Sequence, residues 1–185
     1  DYAVAQVLNR RTMEQVAVWR GRLDPVTFGE ELFKLGLYYN TAMVTTEIEG
    51  PGYGTVGKLI GMNYPNIWQR QNKADKTPGA MTASTYGWST THQTKPLAIG
   101  WLLKYVVDHA LTIHDRKTYD EMVNYVTLDS GSYGNGNNEE HDDTVMSLAM
   151  GVTCHIMDAP LQAYGTEADE LREDWRELMN DMELS

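Results

Sequence analysis

The stretch EEHDDTVMSLAMGVTCHIM, residues 139–157, joins a group of acids to the start of a predicted helix. Its second part carries apolar residues at helical spacing and predicts a helix with one buried face: Val145, Leu148, Ala149, Val152 and Ile156. Four acids and a histidine come directly before that face. A helix N-terminus needs only one acid as a cap. Capping and metal binding therefore both remain open as interpretations of the cluster.

The two aspartates of the cluster differ in direction. Asp142 lies three and seven residues before Val145 and Ala149, so helical geometry places it on their buried side. Asp143 is turned by about 100° from it, at roughly 3.6 residues per turn. The preceding segment SGSYGNGNN, residues 130–138, is rich in Gly, Ser and Asn and predicts a mobile loop.

Composition limits the classes of protein that the chain can represent. With 185 residues it can bury one core and carry a short appendage. The net charge of −11 argues against a protein that grips nucleic acid over its whole surface, but it allows acidic metal ligands beside a local basic patch. No apolar run approaches the roughly 20 residues of a membrane span. The single cysteine, Cys154, weakly favours a reducing compartment.

Strand and helix signals alternate along the chain, which predicts a mixed α/β sheet flanked by helices. The β-rich runs 2–8 and 15–20 predict an antiparallel hairpin, and Asp24 with Pro25 predicts a capped helix that closes at Asn40. The later signals predict a strand at 42–46 that ends at Glu47, a strand at 66–71, a long polar loop at 72–94 and a long helix from Thr94 whose apolar face reaches Ile113. Thr118 and Glu121 predict a capping box for a short helix.

The sequence from Gly52 to Lys58 nearly spells a phosphate-binding loop. Leu59 stands where that motif needs Ser or Thr for Mg²⁺. A tight turn beside Glu47 explains the glycines better, so we do not expect a nucleotide-binding site. The histidines show no zinc spacing.

Glu47 and the aspartate pair remain as the chemically informative acids. A strand end and a helix start can converge at one edge of a sheet, and carboxylate oxygens are the ligands that Mg²⁺ prefers. Two such ions about 4 Å apart can activate water and stabilise the leaving oxygen of a phosphodiester. We therefore expect Glu47, Asp142 and Asp143 to be both the metal ligands and the catalytic residues, with Mg²⁺ or Mn²⁺ as the cofactor.

The order of several short motifs resembles that of phage terminase large subunits. The motifs are VAVWRGRLDP, a helix ending in YYN, TTEIEGPG, NIWQR, GWSTTHQTKPL and EEHDDTVMSLAM, over roughly residues 1–158. The resemblance is to the C-terminal nuclease domain and implies an RNase H-like (RuvC-type) fold. It also implies metal-dependent endonucleolytic cutting of concatemeric double-stranded viral DNA during genome packaging. Glu47 matches the family's strand-end glutamate, and Asp142 with Asp143 matches its His-Asp-Asp motif.

The resemblance carries further expectations about organisation. The family's first strand and first catalytic aspartate would lie upstream of Asp1, so the first strand is expected to be missing from this chain. The nuclease domain is expected over residues 1–165, followed by an acidic amphipathic helix or tail at 166–185. The basic groups expected to meet DNA phosphates are Arg70, Lys73, Lys76 and Lys95.

The implied partners are double-stranded DNA, the terminase ATPase domain, the small terminase subunit and the capsid portal, with no membrane. The implied location is the cytoplasm of the infected bacterial host, and transiently the procapsid portal. Two alternatives stay open: a non-catalytic structural module of the packaging motor, and a stand-alone RuvC-like resolvase.

Overall fold

The computed structural model describes residues 2–70, 86–128, 133–136 and 141–158, in which two pairs of short strands and several helices are found. The elements in chain order are β1 (Ala3–Asn9), β2 (Glu14–Gly21), α1 (Pro25–Tyr38), α2 (Gly52–Gly61), α3 (Thr94–Val107), α4 (Arg116–Val123), β3 (Tyr125–Thr127), β4 (Tyr133–Asn135) and α5 (Asp143–Asp158). The predicted α/β class is confirmed. The predicted long loop at 72–94 falls mostly on residues 71–85, outside the described part.

The predicted hairpin at the start of the chain is confirmed. β1 and β2 pair antiparallel from Ala3 opposite Gly21 to Asn9 opposite Glu14, with one irregularity in register after Val7. The side chains of β1 alternate across the two faces of this ribbon. The hairpin therefore presents Gln6 on one face of the ribbon and Ala5, which is buried, on the other.

Next to Glu47, three extended segments are joined by isolated bridges. Val44 donates to Asn66 O at 2.9 Å and accepts from Trp68 N at 2.9 Å. Further along, Trp88 donates to Thr46 O at 2.7 Å and accepts from Ile48 N at 2.8 Å. Successive residues thus bond to different neighbours, which is why the predicted strands at 42–46 and 66–71 are reduced to bridges. These bridges run both parallel and antiparallel.

A second small hairpin corrects the prediction of a mobile loop at 130–138. Tyr133–Asn135 forms β4 and pairs antiparallel with β3. The β-branched and aromatic residues of β3 favour a strand, and Gly134 lets its neighbour approach, since a Cβ there would lie 2.9 Å from Leu128 Cδ1. Glycine content was therefore a misleading signal at these positions. Residues 130–132 and 137–138 lie outside the described part.

Helix α1 begins as the sequence predicts. Asp24 Oδ1 accepts from the backbone N–H groups of Val26 at 3.0 Å and Thr27 at 3.1 Å, and Pro25 is the first helical residue. Hydrogen bonds from Thr27, first from its side chain and then from its backbone, lower the pKa of Asp24. These contacts satisfy donors that every helix N-terminus leaves free.

Helix α2 corrects the interpretation of residues 52–58 as a tight turn. These residues are helical from Gly52 onward, so they do not form the open loop that a phosphate-binding motif requires. Lys58 instead pairs with Glu30 at 2.7 Å. Gly52 does lie against Glu47, because a Cβ there would come within 1.8 Å of Glu47 O.

Helix α3 ends earlier than predicted, and helix α4 begins earlier than predicted. α3 ends at Val107 and does not continue to Ile113, and His109 beyond it has a left-handed φ of 54°. α4 begins after Asp115, whose Oδ2 accepts from Thr118 N at 2.7 Å and from Thr118 Oγ1 at 2.8 Å. The predicted capping box at Thr118 is therefore wrong. Thr118 is the third residue of α4, and Glu121 is free for another contact.

Two groups of buried side chains lie under these elements. One contains residues of β1, α1 and α2 with their flanks: Ala5, Leu32, Val44, Leu59 and Tyr64. The other contains Ile48, Val56 and Tyr86. Both pack against Ile67, so the extended segment around Glu47 is fixed from beneath by apolar contacts.

The chain divides into two units, residues 1–153 and 154–185. Of the second unit, the structure describes only the last turns of α5, to Asp158. The boundary predicted at 165, and the predicted helix or tail at 166–185, lie outside the described residues. Within the described ranges, no helix has both the length and the apolar character of a membrane span.

Candidate active site

The aspartate pair stands at the N-terminus of α5, on a helix whose body is buried. Asp142 O accepts the backbone N–H of Met146 at 2.9 Å, so Asp142 is the residue that starts the helix, and Asp143 is its first full member. Val145, Leu148 and Ala149 are buried. The predicted inward face of α5 is confirmed, whereas Asp142 itself keeps 32% of its side chain exposed.

Asp142 is paired with a cation that the sequence assigned to DNA. Lys95 Nζ lies 3.3 Å from Asp142 Oδ2. The Tyr125 ring is half-buried, with its hydroxyl donating to Met146 Sδ at 3.4 Å. Burial first, and then the negative charge of Asp142, raise the pKa of Tyr125. Asp142 thus faces an ammonium group and a phenol in a partly desolvated space.

Asp143 contacts the start of the chain. Its Oδ2 accepts the backbone N–H of Tyr2 at 3.2 Å and lies 3.8 Å from His141 Nδ1. The Tyr2 ring meets the His141 ring edge-on, with centroids 5.5 Å apart. These contacts hold the carboxylate at the open end of the hairpin, next to the first residues of β1.

Glu121 supports the aspartate pair from below. It is 1% exposed, and its Oε2 accepts Thr144 N at 3.0 Å and also the Thr144 hydroxyl. Thr144 directly follows Asp143 and belongs to the first turn of α5, where backbone N–H groups lack partners inside the helix. Glu121 therefore fixes the position of the segment that carries both aspartates.

A buried amide network ties the same turn to the first hairpin. Gln6 Nε2 donates to Thr144 O at 3.2 Å and to Thr118 Oγ1 at 3.1 Å. Gln6 Oε1 accepts from Gln15 Nε2 at 2.7 Å, and Gln15 is itself 2% exposed. β1, β2, α4 and α5 are thus joined by side-chain hydrogen bonds at one point beneath the aspartates.

Glu47 lies on a different segment. It is exposed and forms a parallel bridge with Trp88. From Trp88 the chain runs on to Ser89, whose carbonyl accepts Thr94 Oγ1 at 2.7 Å. Thr94 starts α3, and the next residue is Lys95, the partner of Asp142. The structure thus connects Glu47 to the aspartate pair through the start of α3.

The described residues supply only part of a metal-binding set. Oxygen donors of the carboxylate type suit a hard divalent cation, and Asp142 and Asp143 are adjacent and partly exposed. Nevertheless, across ranges 2–70, 86–128, 133–136 and 141–158, no three acids, histidines or cysteines come together as a metal-holding group. The donor chemistry fits Mg²⁺ or Mn²⁺, and the structure brings Asp142 and Asp143 together without Glu47.

The basic residues predicted to contact DNA have different positions. Lys95 lies at the site, on Asp142. Arg70 is half-buried just after the bridge at Gln69. Lys73 and Lys76 lie outside the described residues. The assignment of these four residues to DNA binding stays a prediction.

Sequence reasoning missed two tyrosines that contact the aspartates, Tyr2 and Tyr125, and two arginines that contact Tyr2. The Arg20 guanidinium carbon lies 3.5 Å, and that of Arg22 4.7 Å, from the Tyr2 ring centroid. The hairpin register would have shown this, because Ala3 opposite Gly21 places Tyr2 level with Arg22. No sequence pattern pointed to Tyr125, which reaches Asp142 only through the fold.

Solved structures of known proteins include one whose fold is similar to that of this chain. No protein-family model and no curated protein sequence matches the chain. The fold is similar to that of the large terminase nuclease from the thermophilic phage G20c. Its cobalt-bound crystal structure gives a TM-score of 0.63 at 20% identity, covering 83% of this chain and 74% of that one. A second crystal structure of that nuclease gives 0.61 at 20% identity, covering 83% and 75%.

Proposed function

We propose that the chain is the metal-dependent endonuclease domain of a viral DNA-packaging terminase, with an RNase H-like fold, that cuts concatemeric double-stranded DNA. The observation that carries the proposal is the aspartate pair. In a fold similar to that of a terminase nuclease, two adjacent carboxylates stand at the open end of a hairpin, backed by a buried network that fixes their backbone. A cap alone would not need this second support.

Asp142, Asp143 and Glu47 are the residues that would hold the metal. Bound there, Mg²⁺ or Mn²⁺ would activate water and stabilise the charge that develops on the phosphodiester. The nuclease of similar fold has been crystallised with cobalt, which agrees with a divalent cation in this kind of site. An acid from upstream of Asp1 would complete the set.

The chain's own residues have separate tasks in this proposal. The Glu121 carboxylate and the Gln6 amide hold the backbone N–H and carbonyl of Thr144, the residue that follows Asp143. Tyr2 N–H holds one oxygen of Asp143, which leaves its other oxygen for a cation. Lys95 balances the charge of Asp142 and lies where a phosphate would approach it. Geometry of this kind is set before substrate arrives, so little is lost in reorganisation.

The proposal includes a location and partners. The domain would act in the cytoplasm of the infected bacterial host and transiently at the procapsid portal, joined to an ATPase domain and assisted by a small terminase subunit. The non-catalytic motor module and the stand-alone resolvase remain alternatives. The first would not cut, and the second would cut branched junctions in preference to linear duplex.

The test combines metal binding with cleavage. We expect millimolar Mn²⁺ to raise the Tm, because a ligand that binds only the folded chain stabilises it, and we expect Asp142→Asn with Glu47→Gln to abolish the rise. A chain extended upstream should nick or linearise plasmid DNA, more readily with Mn²⁺ than with Mg²⁺. Asp142→Ala and Glu47→Ala should each remove this activity while circular dichroism stays unchanged.

Glu30→Gln is a matched control, since Glu30 is a partly exposed acid that pairs with Lys58 away from the aspartates. It should leave both the Mn²⁺ response and the cutting intact. Cutting by both site variants at the unaltered rate would place the chemistry elsewhere. A folded, metal-loaded, extended chain that does not cut would favour the non-catalytic module.

A further inference from the structure

We infer that Arg20 and Arg22, hereafter the arginine pair, form a contact surface for the phosphate backbone of duplex DNA beside Asp143. The inference rests on the proposed function and deepens it, by naming the residues that would bring a polyanion to an acidic site. It starts from the three contacts that join the arginine pair to Tyr2 and Tyr2 to Asp143.

The arginine pair is exposed and has no acidic partner in the described part of the chain. Arg20 is the second-last residue of β2 and Arg22 directly follows the strand, and both are on the surface. The ion pairs of the described residues engage other cations, such as Lys58, Lys95 and Lys104. Among the described residues no carboxylate pairs with either arginine, although acids are abundant in a chain of net charge −11.

Tyr2 holds the arginine pair in a defined position. Its ring centroid lies 3.5 Å from the Arg20 guanidinium carbon and 4.7 Å from that of Arg22. Contact through the face of a guanidinium leaves its in-plane N–H donors free for another acceptor. Such donors match phosphate oxygens in a bidentate manner. The stacking also reduces the side-chain entropy that each arginine would lose on binding.

Tyr2 connects the arginine pair to Asp143, one of the candidate metal ligands. The same Tyr2 donates its backbone N–H to Asp143 Oδ2 at 3.2 Å, and its ring meets that of His141. A duplex strand that places one phosphate at the aspartates would therefore have neighbouring phosphates within reach of the arginine pair. The aspartates repel a phosphate until cations are bound, so adjacent positive charge favours the approach.

Duplex DNA is the occupant that these observations favour over an acidic protein surface. The cationic groups lie at the site where the proposed reaction takes place. The phosphates of a duplex also repeat at short intervals, which suits two arginines separated by one residue on an extended segment. Contacts of this kind position the strand and carry no sequence information.

The experiment measures binding of this chain to a fluorescent duplex by anisotropy, without divalent metal so that cutting cannot occur. The variant is Arg20→Ala with Arg22→Ala. The matched control is Arg10→Ala with Arg11→Ala, which removes the same charge from the turn at the opposite end of the same hairpin. Arg20→Lys with Arg22→Lys keeps the charge and removes the planar donors.

We expect the alanine variant to weaken binding by roughly tenfold or more, and to reduce the slope of log Kd against log salt by about two, one unit for each lost phosphate contact. The lysine variant should restore most of the salt slope with weaker affinity, and the control should change little. Equal losses in variant and control, no loss in the variant, or a wild-type chain that does not bind duplex DNA would each overturn the inference.

This outcome is separable from failure of the proposed function. A chain that binds DNA through the arginine pair but never cuts with metal would support the inference and contradict the nuclease proposal. An extended chain that cuts equally well with and without the arginine pair would support the nuclease proposal and contradict the inference. Circular dichroism and the Tm check that the variants fold. A variant that fails to fold is replaced by Arg20→Gln with Arg22→Gln, which keeps the aliphatic stems.

Discussion

Glu121 Oε2 and Thr144 N are 3.0 Å apart, across 23 residues of sequence, in a region from which water is excluded. The contact places a buried carboxylate at the N-terminus of the helix that begins with the aspartate pair. A negative charge there also interacts favourably with the helix dipole. The candidate site is therefore held by a buried polar contact. Removal of one partner from such a contact leaves the other without a hydrogen bond, which costs more stability than the loss of an exposed contact.

We expect Glu121→Ala to reduce the free energy of unfolding by about 2–4 kcal/mol, since it leaves the N–H and hydroxyl of Thr144 without an acceptor in a buried position. Urea unfolding measures the change. Glu31→Ala is the control, because Glu31 makes only a surface ion pair with Lys34 worth about 0–1 kcal/mol. A loss in Glu121→Ala no larger than in the control would contradict the supporting role.

Burial first, and then the negative charge of Asp142, raise the pKa of Tyr125 above its usual value, and Asp142→Asn should lower this pKa by removing the charge. Because the pKa is raised on folding, the folded chain keeps the phenol protonated when the unfolded chain, with a pKa of about 10, loses the proton. The contribution of Tyr125 to the free energy of unfolding is therefore fully present below about pH 10, and it is lost as the pH rises from there through the higher pKa of the folded chain. NMR of ¹³Cζ-labelled tyrosine, assigned with Tyr125→Phe, follows the group. If Tyr125 titrated identically in the wild-type chain and in Asp142→Asn, the influence of Asp142 on Tyr125 would be contradicted.

Lys95→Met should increase the affinity of the aspartate pair for Mn²⁺, because the ammonium group 3.3 Å from Asp142 Oδ2 opposes a second cation by charge. The expected readout is a lower Mn²⁺ concentration at half-maximal Tm shift. Lys104→Met is the control, since Lys104 pairs with Asp108 at the other end of the same helix. Weaker metal binding in Lys95→Met would mean that Lys95 orients Asp142 for the metal and does not compete with it.

Gly29→Ala should destabilise the chain although alanine favours helices. A Cβ at Gly29 would lie 2.8 Å from Lys58 Cβ and 2.9 Å from Thr55 O, so α1 and α2 would have to separate. Overpacking of this kind costs about 1–3 kcal/mol. Gly57→Ala, in α2 with nothing within 4 Å of the new Cβ, should instead stabilise by up to about 1 kcal/mol. Thermal unfolding of the two variants gives the comparison, and shifts of the same sign would contradict the close packing.

Local signals in the sequence predicted much of the fold. The hairpin at 2–8 and 15–20, the Asp24 cap and the buried face of α5 follow from patterns within a few residues. Two of the wrong predictions depended on contacts outside the short segment that carried the signal. Gly134 forms a strand because Tyr125–Thr127 lies beside it, and Glu121 turned out to bond to Thr144 and not to cap α4.

In the candidate site too, some features follow from local sequence and others depend on the fold. The aspartate pair could be found from sequence because its acids are consecutive and precede a helix. The Lys95, Tyr125 and Tyr2 contacts could not, because each joins elements whose relative position depends on the whole fold. Glu47 stays a predicted ligand. Its segment is connected to α3, but the described residues do not bring its carboxylate to the aspartates.

The hydrogen bond from Tyr2 to Asp143 closes a loop of 141 residues, and this has a consequence during synthesis. A ribosome releases the hairpin β1–β2 long before the aspartates, and the local contacts of the hairpin allow it to form without them. The aspartates emerge only after nearly all of the described chain. Closing so long a loop adds little entropy cost beyond that of a shorter one, so assembly waits on translation. A partly made chain that ends before Asp142 therefore contains the hairpin but not the aspartate pair, and it lacks the contact between Tyr2 and Asp143.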